Sequence, residues 1–256
     1  MSARVAIVTG VSRRQGIGFA ITRRLLEDGH RVLVQSWDRH DAGQPHGADP
    51  GGAAATVAAL QAKAGQLEHV ELDLGEASAP AALVEAALSA FGGVDALVAN
   101  HAHSVLGGLE QVTAAELDRA WAVNARACVL LVQAFARLHD DARGGGRVVL
   151  FTSGQHLGPM AGELAYAISK GAIHQMTSSL ADALADRAIT VNAVNPGPND
   201  TGWAPPEVIE AALARFPRGR WGTPADIAPI VAWLVSEEAG WLTGQVLDAE
   251  GGYRRS

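Results

Sequence analysis

The chain has 256 residues, 48% of them hydrophobic, with a formal net charge of −7 and one cysteine. That length and apolar content are enough for a full core in one domain. The acidic balance argues against nucleic acid or an anionic membrane as a partner, because both reward clustered Lys and Arg, and a single Cys128 excludes a disulfide within the chain.

In chain order, residues 4–9 form a run of β-branched and small apolar residues suited to a strand covered on both faces. The run enters Gly10-Val-Ser-Arg-Arg-Gln-Gly16-Ile-Gly18, and helical spacing follows at Phe19, Ala20, Leu25 and Leu26. A strand, a glycine turn and a helix opening near Ile17 together make a cradle for a pyrophosphate. A second strand is expected over residues 31–35. After it comes a long loop, residues 37–52, rich in Gly, Pro, Asp and His. Further strands are expected over residues 67–72, 96–99, 147–151, 190–194 and 246–247, separated by helical segments such as the one carrying Leu83, Ala87, Leu88 and Phe91. Short strands alternating with helices imply right-handed crossovers and a parallel sheet. The expected fold is α/β: one doubly wound, Rossmann-type domain over residues 1–256, with about seven parallel strands and helices on both faces. Residues 201–221 separate the last two strands by far more than a minimal crossover. Their glycines and aromatics predict a substrate lid around residues 199–222 that contains Trp203.

Tyr166-Ala-Ile-Ser-Lys170 puts a phenol and an ammonium four residues apart on one helix face. Ser153 follows the 147–151 strand, where a βα loop brings its hydroxyl to the carboxyl edge of the sheet, the ligand-binding edge of open α/β folds. Two further histidines, His101 and His103, and His156 after Ser153 have no Cys or carboxylate at ligand spacing, so no metal is expected. His156 is a candidate substrate contact, whereas Trp121 and Trp233 fall in helical patterns and read as core or subunit-contact residues, core being preferred.

From Val5 to Gly252 the sequence resembles a short-chain dehydrogenase/reductase. The family's catalytic Ser, Tyr and Lys match Ser153, Tyr166 and Lys170, and its catalytic Asn matches Asn124 in WAVNARA. Asp73-Leu74 matches the segment near the adenine, Asn195-Pro196-Gly197-Pro198 with Thr201 matches the border of the nicotinamide, and TGQVLDAEGG resembles the closing strand. Two departures stand out: the glycine loop is two residues longer than the usual TGxxxGxG, and the usual NNAG is here Ala99-Asn100-His101-Ala102. The resemblance implies a reversible interconversion of carbonyl and alcohol, working as a reduction of a ketone or 3-oxoacyl group. Tyr166 would transfer the proton as a phenol whose ionised form Lys170 favours. Ser153 would hold the substrate oxygen, Lys170 the nicotinamide ribose, and Asn124 a water. A cofactor-binding sensor without turnover, or a lyase or dehalogenase on the same fold, are the alternatives. The family habit of pairing long helices, here near residues 114–138 and 164–184, implies a homodimer or homotetramer.

The cofactor contacts so implied are Gly10, Ser12, Arg13, Arg14, Gly16, Ile17, Gly18, Ser36, Asp73, Leu74, Asn100, Tyr166, Lys170, Pro196, Gly197 and Thr201. A nicotinamide dinucleotide without a 2′-phosphate is usually held by an acidic residue at the end of the second strand. That position is Ser36. Arg13 and Arg14, with Arg39, could pair with a phosphate dianion. NADP(H) is therefore favoured, and Asp38, two residues further on, keeps NAD(H) as the alternative. No stretch reaches the ~18 apolar residues of a membrane span, and no basic-plus-apolar leader precedes the first strand, so a cytoplasmic location is expected.

Overall fold

The computed structural model describes residues 3–44 and 46–255; the expected domain limits at residues 1, 2 and 256 lie outside them. Seven strands form one parallel sheet: β1 (Val5–Thr9), β2 (Arg31–Ser36), β3 (Leu67–Glu71), β4 (Ala96–Ala99), β5 (Arg147–Phe151), β6 (Thr190–Asn195) and β7 (Val246–Asp248), in the order β3-β2-β1-β4-β5-β6-β7. Every residue of β1, β4, β5 and β6 is buried, whereas the edge strands β3 and β7 are only partly covered. That difference explains the aliphatic composition of the central strands: helices cover both of their faces.

The helices are α1 (Ile17–Glu27), α2 (Asp38–Ala42), α3 (Gly52–Ala58), α4 (Ala79–Phe91), α5 (Ala114–Ala120), α6 (Ala127–Leu138), α7 (Leu164–Leu184), α8 (Pro206–Ala212) and α9 (Pro224–Leu234). Side chains alternating along the strands fill two cores. Ile7, Leu33, Leu97 and Leu150 meet Leu83 of α4, Leu131 and Phe135 of α6 and Ile173 of α7 on one face. Val8, Val34, Val98 and Val149 meet Ile21 and Leu25 of α1 and Ile227 and Val231 of α9 on the other. Each fully buried Leu or Ile contributes about 1.5–3 kcal/mol over its exposed state.

Two local features depart from the expectations. Residues 37–52 are not a plain loop, because α2 forms within them, and the Asp38 carboxylate receives the Ala53 N–H at 3.0 Å at the start of α3. The helix expected over 114–138 is interrupted by a π-helical turn, Trp121–Arg126, between α5 and α6. The chain winds from β1 outward to β3, then crosses back to β4 on the other side of β1. This reversal opens a crevice at the carboxyl ends of β1 and β4, where open α/β sheets take their ligands.

Candidate active site

The crevice floor is the glycine loop. Gly10 has φ +72°, and a Cβ on it would lie 2.9 Å from the His101 Cα; a Cβ on Gly18 would lie 2.6 Å from the Gly10 carbonyl oxygen. A side chain at either place would push the loop from its neighbours, so backbone alone faces the ligand there. Helix α1 starts behind Gly16 with no side-chain cap and no acidic residue in its first turn. Its free N–H groups and positive dipole end are thus left for an anion.

The two extra loop residues are braced from the 37–56 segment. Asp49 accepts the Arg14 backbone N–H at 2.7 Å and lies 3.9 Å from the Arg13 guanidinium. Thr56 donates its hydroxyl to the Ser12 carbonyl at 3.2 Å, and the Trp37 N–H points at the Ser12 hydroxyl at 3.4 Å.

Nine of the residues named from sequence line the cleft: Gly10, Ser12, Arg13, Gly16, Ile17, Asp73, Leu74, Asn100 and Thr201. Arg13 is among them, and its Nε, 3.9 Å from Asp49, makes no hydrogen bond among the described residues. The others lie elsewhere. Arg14 and Arg39 are exposed and outside the lining, and Gly18 is buried beneath the turn. Ser36 points away, its buried hydroxyl 2.8 Å from His69 Nε2. Asp38 is engaged with the start of α3, so the acidic residue held to keep NAD(H) in play is turned from the cleft. Pro196 and Gly197 stand past the end of β6, where the Gly197 N–H is held by Asn195 at 3.1 Å.

Sequence reasoning missed Gln35, Trp37, His40, Asp41, Arg119 and Val123, all of which line the cleft. Strand alternation was the available signal for the first two: if Ser36 faces a neighbouring strand residue, its neighbours face the ligand edge. Arg119 stacks over the Trp37 ring at 5.0 Å and donates to the Asp73 carboxylate at 3.0 Å. Asp73 thus reaches the crevice already paired with a cation.

The residues expected to act in catalysis are Ser153, Tyr166, Lys170 and Asn124. Lys170 is buried and donates one Nζ hydrogen bond to the Phe151 carbonyl at 2.7 Å, which leaves two donors. Its Nζ lies 5.6 Å from the Tyr166 ring centroid. Burial pushes the Lys170 ammonium down to about 8. The Tyr166 phenol is pushed up to about 12, chiefly by burial, against a hydrogen bond with Ser153 that acts the other way.

Asn124 sits in the π turn, fully buried. Its Oδ1 accepts the His103 N–H at 2.7 Å, and its Nδ2 donates to the His103 carbonyl and to the Ser169 hydroxyl, both at 2.8 Å. Both amide donors are spent on protein acceptors, so the side chain ties the loop after β4 to α7, and only Oδ1 retains capacity for a water. His101 completes this wall. Thr9 donates its hydroxyl to Nδ1 at 2.7 Å, and Nε2–H donates to the Val123 carbonyl at 3.0 Å. Desolvation, helped by Lys170, pushes its pKa down to about 3, so the ring is neutral.

Of the two substrate candidates, His156 faces away from the groove: Nε2 lies 3.1 Å from Asp248 Oδ1, and its ring meets His174 edge-on at 4.4 Å. Trp203 is half exposed, donates its Nε1–H to the Asn199 carbonyl at 3.1 Å and lies 6.1 Å from the Trp221 ring. Trp121 and Trp233, read as core, are 51% and 41% exposed and stand on the outer helix faces. Among the described residues no three His, Cys, Asp or Glu side chains are grouped as for a metal, and no helix is long and apolar enough to cross a membrane.

A parallel sheet wound about a glycine cradle, with Ser, Tyr, Lys and Asn at its carboxyl edge, defines a dinucleotide-linked oxidoreductase fold, and comparison agrees. Residues 10–254 match the family model described as Enoyl-(Acyl carrier protein) reductase. The chain belongs to the short-chain dehydrogenase/reductase family and is an oxidoreductase of that type. It is 38% identical to the uncharacterized oxidoreductase YjdA of Bacillus subtilis, covering 98% of this chain and 97% of that protein. Among solved structures it resembles a mutant of a Serratia marcescens short-chain dehydrogenase/reductase, with a TM-score of 0.83, 34% identity and 97% of each chain covered. It also resembles the angucycline C-6 ketoreductase LanV with bound NADP, with a TM-score of 0.84, 34% identity, 97% of this chain and 95% of that one.

Proposed function

We propose that the protein reduces a ketone, a 3-oxoacyl group included, to a secondary alcohol with NADP(H). The observation that carries this reading is the pairing of Tyr166 with Lys170 on α7, the Nζ 5.6 Å from the centre of the phenol ring, beside a glycine-floored cleft. A neutral phenol is the form that can give a proton to a carbonyl oxygen as it becomes an alkoxide.

The groove fits the dinucleotide. The Gly10 and Gly16 backbone and the uncapped α1 N-terminus would take the pyrophosphate, and the two free Lys170 donors would take the nicotinamide ribose hydroxyls. Arg13, which lines a crevice from which Asp38 is turned away, favours the 2′-phosphate form. The adenine end would lie among Trp37, Leu74 and the Arg119–Asp73 pair. The bound cofactor supplies the hydride. Tyr166 donates the proton, Ser153 gives a second hydrogen bond to the same substrate oxygen, and Asn124 fixes the loop and helix that carry them. Residues 199–222 would close over the substrate with Trp203 at the mouth. The exposed apolar side chains Trp121, Val129 and Ile168 on α6, α7 and the π turn suit pairing with a second copy. The test is loss of NADPH absorbance with a panel of ketones and 3-oxoacyl thioesters. Turnover with NADPH, and a lower specificity constant with NADH, is expected; no turnover with any member, despite tight cofactor binding, would favour a sensor.

A further inference from the structure

The segment that follows β7 takes no part in the chemistry above, yet it packs against the loop that carries Ser153. That loop leaves β5 and turns through Gly154–His156. Within it, the Ser153 N–H reaches Gln155 Oε1 at 3.2 Å, and the Leu157 N–H reaches the Gly154 carbonyl at 3.0 Å. Two further holds come from residues 248–255. Asp248 Oδ1 lies 3.1 Å from His156 Nε2. Arg255 runs along the loop: a Cβ on Gly158 would lie 2.8 Å from its Cδ, and a Cβ on Gly154 would collide with its Nη2. The guanidinium therefore rests on bare backbone at the residue next to Ser153, a close approach that glycine permits.

An unpaired arginine samples many rotamers. Here Glu250 fixes its head in a two-point fork, with Nη1 donating to Oε2 at 2.6 Å and Nη2 donating to Oε1. The Glu250 side chain is buried and is itself held: Asn195, at the end of β6, donates Nδ2 to Glu250 Oε1 and to Asp248 Oδ1, both at 2.8 Å. A Cβ on Gly197 would lie 2.8 Å from Glu250 Cγ, so the carboxylate stem also rests on backbone. A line of contacts thus runs from the sheet through Asn195, Glu250 and Arg255 to the backbone beside Ser153. The same segment meets the expected lid, where the Arg254 N–H donates to the Arg215 carbonyl at 2.9 Å and the Tyr253 ring lies 4.9 Å from that of Phe216.

We propose that Arg255 is a positioning residue: gripped by Glu250, it sets the backbone at Gly154 and, through it, the place of the Ser153 hydroxyl against the substrate oxygen. This rests on the reductase reading of the same site. Arg255 lies outside the cleft lining, so it acts through the loop and not on the cofactor. No new chemical step is involved.

The test uses Arg255→Lys, Arg255→Ala and the double variant Glu250→Gln with Arg255→Ala, which removes the unpaired carboxylate should Arg255→Ala fold poorly. The readouts are kcat and KM for a ketone with NADPH, NADPH affinity by fluorescence titration, and hydrogen exchange of peptides covering residues 153–158 in the NADPH complex. Both alanine variants should lose about ten- to hundredfold in kcat, the scale of a small misplacement of a group that contacts the substrate. NADPH affinity should stay within about twofold of the parent, and residues 153–158 should exchange about tenfold faster. Arg255→Lys keeps the stem on Gly158 and a charge for Glu250, so it should retain most of kcat. The proposal is overturned by unchanged exchange across residues 153–158, by a kcat like the parent's in both alanine variants, or by Arg255→Lys no better than Arg255→Ala. A fall in NADPH affinity as large as the fall in kcat also overturns it, since that marks a general loosening of the fold. A parent that turns over no ketone rejects the reductase reading; the exchange then decides alone, faster exchange in the alanine variants supporting the hold of Arg255 on the loop and unchanged exchange overturning it.

Discussion

Replacing His101 with Gln should weaken the dependence of stability on acid. In the fold the imidazole has no room for a second proton. Its Nδ1 accepts from Thr9 at 2.7 Å, and that hydroxyl already accepts the Asn100 and His101 N–H groups at 3.0 and 3.2 Å. A proton on Nδ1 would aim a donor at an oxygen whose lone pairs are used, in a desolvated site near Lys170. The folded value is therefore lowered from the usual 6.5 to about 3. Between those values the unfolded chain binds the extra proton, so stability is present above the unfolded value and falls as pH drops through the window. From pH 7 to pH 5 this one residue should cost about 2 kcal/mol, a large share of a total of about 5–15 kcal/mol. Urea unfolding of parent and His101→Gln at both pH values checks it. The other histidines are common to both proteins and cancel in the difference, and Gln retains one acceptor and one donor for Thr9 and Val123. Equal losses of stability in parent and variant between pH 7 and pH 5 would refute the reasoning.

Tyr166→Phe keeps the ring and removes the proton donor, so turnover should fall by about 10²–10⁴, with NADPH affinity by fluorescence titration nearly unchanged. Arg13→Ala should weaken NADPH binding and leave NADH binding alone, and Arg14→Ala should do neither, because of the two only Arg13 lines the cleft; titration with both cofactors distinguishes them. If residues 199–222 act as the proposed lid, Trp203→Ala should raise the Michaelis constant for aryl ketones more than it lowers turnover, since the ring is held at the Asn199 carbonyl.

Much of the fold was legible because its central strands are covered twice, which leaves continuous aliphatic runs such as Val148-Val149-Leu150 with little ambiguity. All seven expected strands form with ends within one residue of those anticipated. The Tyr166 and Lys170 spacing put that pair on a helix, and the family resemblance gave the limits of α7. The π turn was not legible, because one extra residue in a helix leaves the apolar spacing of its neighbours almost undisturbed, and only backbone geometry exposes it. The far wall of the groove was misread by one step. Period-two alternation makes Ser36 face His69 and leaves Trp37 for the ligand, and nothing local to QSW marks which phase applies. Asp38 was misjudged for another reason: its partner, the Ala53 N–H, is fifteen residues away, and a contact of that range leaves no trace in neighbouring residues.

The brace between the glycine loop and the 37–56 segment makes those two stretches one inheritable part. Asp49 and Thr56 hold Ser12, Arg13 and Arg14 from the side opposite the ligand, so a loop of ordinary length would leave both without their partners. A chimaera that shortens the loop alone would lose its far wall with it, whereas exchanging residues 10–18 together with 37–56 would carry the groove across intact. In this chain the part to transplant is the pair of segments, which lie apart in sequence and meet beside the groove.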